Sequence, residues 1–144
     1  MRPINEMQLT FESRSANEAF ARTAVAAFAA PLDPRMDELC DIKTAVSEAV
    51  TNCIVHAYGE GSLGKIYISA KLFPDRRLRI KIRDCGCGIE DVKRAMEPAF
   101  TGFPDGERAG LGFSIMQSFM DRVRVSSRPG RGTSVIMEKR IPER

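Results

Sequence analysis

Residues 65–88 read KIYISAKLFPDRRLRIKIRDCGCG. Ile66, Ile68, Ala70 and Leu72 alternate with polar neighbours, and Leu78, Ile80 and Ile82 do the same. Side chains on a strand alternate between its faces, so each run predicts a strand with one apolar side. Outward from this pair, Met7, Leu9 and Phe11 predict a first strand. Segments at about 122–127 and 132–140 predict two more. Ser15-Ala16-Asn17-Glu18 has the pattern of a capping box opening a first helix, which carries Phe20, Ala24, Ala27 and Phe28 on one side. Asp33-Pro34 supplies an N-cap and a proline for a second helix running to about Tyr58, and Gly59 is its stop. A weakly helical piece covers about 90–96, and a last helix spans about Gly112 to Met120. The segment from Pro98 to Gly112, with two prolines and four glycines, reads as a loop. Strands paired with neighbours, plus helices, predict an α/β two-layer sandwich: a mixed, mostly antiparallel sheet with helices on one face.

The chain has 144 residues, enough for one domain over 1–144. A net charge of +3 is too small to argue for nucleic acid, which calls for a dense basic face with stacking aromatics. No apolar run approaches the ~20 residues of a membrane span. Ala24 to Leu32 is apolar but short, and it lacks the flanks of a signal peptide. Cys40, Cys53, Cys85 and Cys87 are therefore expected as free thiols in a reducing, cytoplasmic setting. Cys85-x-Cys87 is half of a zinc pattern, but a single histidine and no second cysteine pair argue against a metal there.

Three elements carry chemistry. On the second helix, Met36, Leu39, Ile42, Val46, Ala49, Val50, Cys53 and Ile54 form one apolar stripe. Glu48 and Asn52 fall outside it, one turn apart on the same side, with Ala45 and Ala49 towards the buried face. Alone, such a pair is also what a solvated helix face carries. Next, Asp84 continues the inward row of Leu78, Ile80 and Ile82, so a carboxylate ends the core-facing row. Its burial is costly without a donor. An adenine amino group supplies one, whereas guanine presents a carbonyl. Gly86 and Gly88 would let the backbone approach such a ring. The other reading is a glycine turn whose Asp84 caps its own loop. Last, Gly110-Leu111-Gly112 opens a helix, an arrangement suited to phosphate but common in plain turns.

In order and spacing these three elements resemble the N box and the two glycine boxes of the GHKL ATPases, which include gyrase, Hsp90, sensor histidine kinases and MutL. The likeness narrows with Ser47-Glu48-Ala49-Val50-Thr51-Asn52, His56-Ala57-Tyr58, Glu97-Pro98-Ala99-Phe100-Thr101 and Glu107-Arg108-Ala109-Gly110-Leu111-Gly112-Phe113. It continues with Ile115-Met116, Phe119-Met120-Asp121, Asn5-Glu6-Met7 and Leu32-Asp33-Pro34 through Met36-Asp37-Glu38-Leu39. These resemble the anti-sigma kinases, and most of all the sporulation anti-sigma-F family.

The resemblance implies a cytoplasmic, homodimeric protein-serine kinase that binds ATP and Mg²⁺. It would hold a sigma-F-like sigma factor and phosphorylate a SpoIIAA-like anti-anti-sigma factor, with no direct contact to nucleic acid or membrane. Residue by residue, it gives Asn52 to Mg²⁺ and the nucleotide, and Asp84 with Gly86 and Gly88 to adenine. Thr101, Gly110 and Gly112 fall to the rest of the nucleotide, and 98–109 to an ATP lid. Glu48 is the candidate general base, which needs a carboxylate within reach of a serine hydroxyl, and Arg108 would reach the γ-phosphate. Arg22 is expected on the exposed side of the first helix, opposite Phe20, as a sigma-factor contact. His56 is expected at the rim of the site. Phe103 stands where relatives usually carry Lys, and Cys85 and Cys87 fill variable positions of the glycine box. Two other readings stand beside this one: a general-stress anti-sigma kinase, and a non-catalytic ATP-gated module. The second has no need of Glu48.

Overall fold

The two central strands run from Lys65 to Leu72 (β2) and from Arg77 to Asp84 (β3), antiparallel, with Ile66 opposite Asp84. The computed structural model describes residues 1–59, 62–97 and 106–143, the side chains of 106–111 excepted. Asn5–Glu12 (β1) pairs with the outer edge of β2, Thr133–Arg140 (β5) with β3, and Arg122–Ser127 (β4) with β5. The sheet order is β1-β2-β3-β5-β4, and all four pairings are antiparallel.

The alternation seen in the sequence is what divides the sheet. Ile66, Ile68, Ala70, Leu72, Leu78, Ile80, Ile82, Val135 and Met137 are buried on one face. Three helices cover that face: Ala16–Ala29 (α1), Met36–Asn52 (α2) and Gly106–Phe119 (α4), with α2 packed between α1 and α4. A short helix, Val92–Ala95 (α3), is capped by the Asp91 carboxylate, which accepts from the Arg94 N–H at 3.1 Å. Each fully buried aliphatic side chain of this core contributes about 1.5–3 kcal/mol by leaving water.

Two helix starts differ from expectation. Ser15 makes no side-chain cap, and Glu18 turns instead to Arg22, one turn on, at 2.8 Å. α1 also presents a different face to the core: Ala21, Val25, Ala26 and Ala29 are buried, whereas Phe20 is 51% exposed. Alanines let the helix lie close to its neighbours. Phe20 stays at the flank, its ring edge-on to Phe11 with 6.3 Å between centroids. At the second start, Asp33 takes φ 51° and closes a 3-10 turn over Ala30–Leu32, so it is not the cap of α2. That helix begins at Met36, which is exposed, and the Arg35 N–H donates to the Glu38 carboxylate at 2.8 Å. Its far end behaves as expected, with Gly59 at φ +73°.

The other sheet face carries polar side chains. There Glu138, almost buried, accepts from Arg77 Nη1 at 2.7 Å and Arg79 Nε at 2.8 Å. Both guanidinium groups also sit over the Phe73 ring, at 4.3 and 4.9 Å from its centroid. Burial acts to raise the Glu138 pKa, but the bonds from Arg79 and Arg77 overcome it and hold the carboxyl below its ordinary value. A depressed folded-state pKa contributes stability above the unfolded-state value and loses it as pH falls through the folded one. Glu138→Gln is therefore expected to destabilise the protein by about 1 kcal/mol at neutral pH, the arginines being partly solvent-screened. In denaturant titrations the gap from the parent should close as the pH drops below the ordinary carboxylate range. A gap that is unchanged in acid would count against the ion pairs as its origin.

Candidate functional site

α2 sets the first part of the site. Glu48 and Asn52, four residues apart, stand one above the other, while Ala45, Ala49 and Val50 are buried beneath them. Gly112 of α4 lies directly against the pair. A Cβ there would come 3.3 Å from Asn52 Oδ1, from Asn52 Nδ2 and from Glu48 Oε2. Elements 60 residues apart in sequence thus meet at one point. Both polar atoms of the Asn52 amide are buried, and neither has a hydrogen-bond partner among the described residues. Leaving such a group unsatisfied costs about 1–3 kcal/mol, a cost that a ligand for the amide would offset.

After Asn52 the helix changes pitch. Cys53–Ala57 form a π turn, in which the Tyr58 N–H reaches back five residues to the Cys53 carbonyl at 3.3 Å. Such turns are uncommon and concentrate at functional sites. This one delivers the Ala57 carbonyl to the loop after β3, where it accepts the Cys87 N–H at 2.9 Å. It also explains Gly86, because a Cβ there would sit 2.3 Å from the same oxygen. Gly88, at φ +74°, is pressed as closely by the Arg128 carbonyl of the β4–β5 turn. Both glycines were expected to make room for a bound ring. The groups crowding them are the protein's own backbone.

Asp84 is 4% exposed. Its Oδ1 accepts from the Gly86 N–H at 2.9 Å and the Thr133 N–H at 3.2 Å. It does cap its own loop, and it also lines a pocket. Burial raises its pKa above the ordinary aspartate value, against bonds from Gly86, the Cys53 thiol and Thr133. Burial likewise pushes the Cys53 thiol well up, with the Asp84 charge adding to it. The pocket runs from Asn52 to Asp84 between Ala49, Cys53, His56, Ala57, Gly88, Ile89, Phe113 and Val135. Apolar walls with one buried acceptor at one end and an amide at the other suit a flat heterocycle bearing an amino group.

Asn52, His56, Asp84 and Gly88 thus line one cavity, and Glu48 and Gly112 meet Asn52 beside it. Thr101 and most of the expected lid, 98–105, lie outside the described residues, as does the Arg108 side chain. A correction concerns the second glycine box. α4 begins at Gly106, so Gly110 and Gly112 lie inside the helix rather than at its first turn. Their N–H groups are then committed to helical carbonyls, and only the first four of α4 have no such partner. Arg22 stands apart on α1, half-buried and paired with Glu18. The sequence reading missed Thr133, whose N–H reaches Asp84, and Cys53, which it assigned to the apolar stripe. Cys53 had one usable signal, its place next to Asn52. Thr133 had none before the pairing of β3 with β5 was known.

Comparison with known proteins agrees with this geometry. The histidine kinase-like ATPase domain matches residues 11–139. The anti-sigma F factor of Caldanaerobacter subterraneus subsp. tengcongensis is 58% identical over 137 residues, covering 95% of this chain and 94% of that one. That of Pasteuria penetrans is 55% identical, covering 95% and 91%. Among solved structures, the RsbU and RsbW domains of a Mycobacterium tuberculosis protein superpose with TM-score 0.71 at 18% identity, over 99% of this chain and 34% of that one. The catalytic domain of histidine kinase ThkA gives 0.56 at 18%, over 96% and 97%. At such identities the structures speak for the fold alone. The sequence relatives carry the assignment: this chain belongs to the histidine kinase-like (GHKL) ATPase family, in the branch of the anti-sigma F factors.

Proposed function

We propose that the protein is a Mg²⁺- and ATP-dependent protein-serine kinase that holds a sporulation sigma factor and phosphorylates a serine of its anti-anti-sigma protein. The observation that carries this is the meeting of Glu48 with the unpartnered Asn52 amide under Gly112. Nucleotide binding alone does not require a carboxylate at that point.

Asn52 fits the metal. Its carbonyl oxygen is a hard donor, buried, and without a partner among the described residues. Bound there, Mg²⁺ would neutralise charge on the phosphates during transfer. Asp84 selects adenine by accepting from its amino group, and the bonds from Gly86 and Thr133 fix the carboxylate in place. Glu48 Oε2 takes the proton of the incoming serine hydroxyl, or orients that hydroxyl for attack. The apolar walls exclude water from the ring end of the site. Arg22 serves the sigma factor: its guanidinium, now on Glu18, exchanges that carboxylate for one of the partner's.

The direct test is transfer of radiolabel from ATP to the anti-anti-sigma protein of the same genome, read as phosphoserine; absence of transfer would leave only an ATP-gated binding module. Glu48→Gln should slow transfer by about 10²–10⁴-fold while nucleotide affinity stays within a few-fold of the parent. Normal turnover in that variant would remove the base assignment.

Asn52→Ala should lose Mg²⁺-ATP binding without losing stability. The amide makes no hydrogen bond among the described residues, so its removal should leave the melting temperature equal or higher. A large drop in melting temperature would instead make Asn52 structural. Asp84 retains its proton to a higher pH than an ordinary aspartate, and a protonated carboxyl is a poorer acceptor. Affinity for a fluorescent ATP analogue should therefore fall as the pH is lowered through that raised value. Asp84→Asn should be weak at every pH and lack this dependence.

Arg22→Glu should weaken capture of the sigma factor by about tenfold or more and leave ATP binding and phosphoryl transfer near normal. Pull-down and kinase assay on one preparation decide it, since parallel loss of both would indicate misfolding.

A further inference from the structure

Three elements of the fold converge on the Asp84 carboxylate. Its Oδ1 accepts from the Gly86 N–H in the loop after β3 and from the Thr133 N–H of β5. The third donor is the thiol of Cys53, the first residue of the π turn. Backbone N–H groups are present whatever the side chain, so the first two bonds come with the fold. The third exists because residue 53 is a cysteine.

Cys53 is 4% exposed and lines the pocket, next in the chain to Asn52. The apolar stripe of α2 does not ask for sulfur at this place. Ala45, Val46, Ala49 and Val50 fill the preceding turns of the helix and are just as buried. What cysteine adds to such a residue is one S–H, a weak donor. Beside an ionised carboxylate, which only accepts, the protonated thiol bonds in one direction alone. Two nearby polar side chains are engaged elsewhere. Arg83 lies on the other face of the sheet, its guanidinium 4.2 Å from the Tyr67 ring centroid. The Tyr58 hydroxyl accepts the Cys85 N–H and donates to the Lys65 carbonyl.

We propose that Cys53 positions the base of the nucleotide. Its S–H holds the Asp84 carboxylate in the orientation that accepts from an amino group, which favours adenine over purines that lack one. Oδ1 already serves two backbone donors, so the second oxygen is the one left for a ligand. A carboxylate tied only to its own loop and to β5 is free to tilt away from the helix layer. The thiol ties it to that layer, one residue from the Asn52 amide. Both ends of the pocket are thereby set by neighbouring residues of the chain. A weak donor also leaves the carboxylate most of its acceptor strength for the ligand. Cys53 touches no reacting atom and acts through Asp84.

This role rests on the ATP reading of the pocket, and a purine without the amino group separates the two. The full-length parent, Cys53→Ala, Cys53→Val and Cys53→Ser are each titrated with ATP and with purine riboside triphosphate, which lacks only that group. Melting temperatures without nucleotide report that each variant is folded. Cys53→Ala and Cys53→Val should lose about fivefold or more in ATP affinity and bind purine riboside triphosphate as the parent does. Cys53→Ser, which restores a donor, should regain most of the loss. Equal weakening for both nucleotides would make Cys53 a packing residue and overturn the proposal, as would unchanged ATP affinity in Cys53→Ala. A parent that binds neither nucleotide would overturn the pocket reading itself.

Discussion

A carbonyl oxygen and a missing side chain hold the site together. The Ala57 carbonyl fills the space that a Cβ at residue 86 would need, and it also takes the Cys87 N–H. Through this contact the end of the second helix is locked to the loop that follows β3. One side of the lock fixes the Asn52 amide, the other fixes the Asp84 carboxylate, and the pocket is the space between them. Bulk at position 86 would separate the two halves before it touched any ligand. Hydrophobic burial builds the layers; this backbone contact sets their spacing at the pocket.

The polar groups of the pocket are costly to the fold. An amide without partners among the described residues and a carboxylate whose charge burial disfavours both oppose stability. Close-packed alanines of α1 and α2 and the buried isoleucines of β2 and β3 offset that cost. The division is usual for a binding site: the sheet and helix interior supply stability, and one end of the same sheet spends some of it on groups that only a ligand satisfies.

How much of this could be read in advance depended on the kind of signal. Alternation in β2 and β3 placed both strands and pointed Asp84 inward, because period two leaves no freedom once one face is buried. The four-residue spacing put Glu48 and Asn52 together for an equally rigid reason. Phe20 misled, since its size suggested core, whereas the alanine face of α1 allowed closer packing than a ring would. Asp33 misled as well, because its left-handed conformation answers a preceding 3-10 turn with no distinct signature. Nothing local could show that Gly86 is crowded by Ala57, or that Thr133 reaches Asp84. Those contacts join segments separated by about 30 and 50 residues. At Gly86 and Gly88 the glycine pattern was visible in the sequence, and the backbone crowding them was not.

The π turn at Cys53–Ala57 makes the chain here sensitive to an added residue. A wide turn holds one residue more than an α-helical path over the same rise. Deleting a single residue between Asn52 and Tyr58 would let the segment relax to ordinary helix, which on bare geometry is the better bonded state. An added residue has no such outlet: it would rotate everything beyond it by about 100°, carrying the Ala57 carbonyl away from Gly86 and the Tyr58 hydroxyl away from the Cys85 N–H. Substitutions in this stretch are felt one side chain at a time. An insertion would unseat the Asp84 end of the pocket in one step.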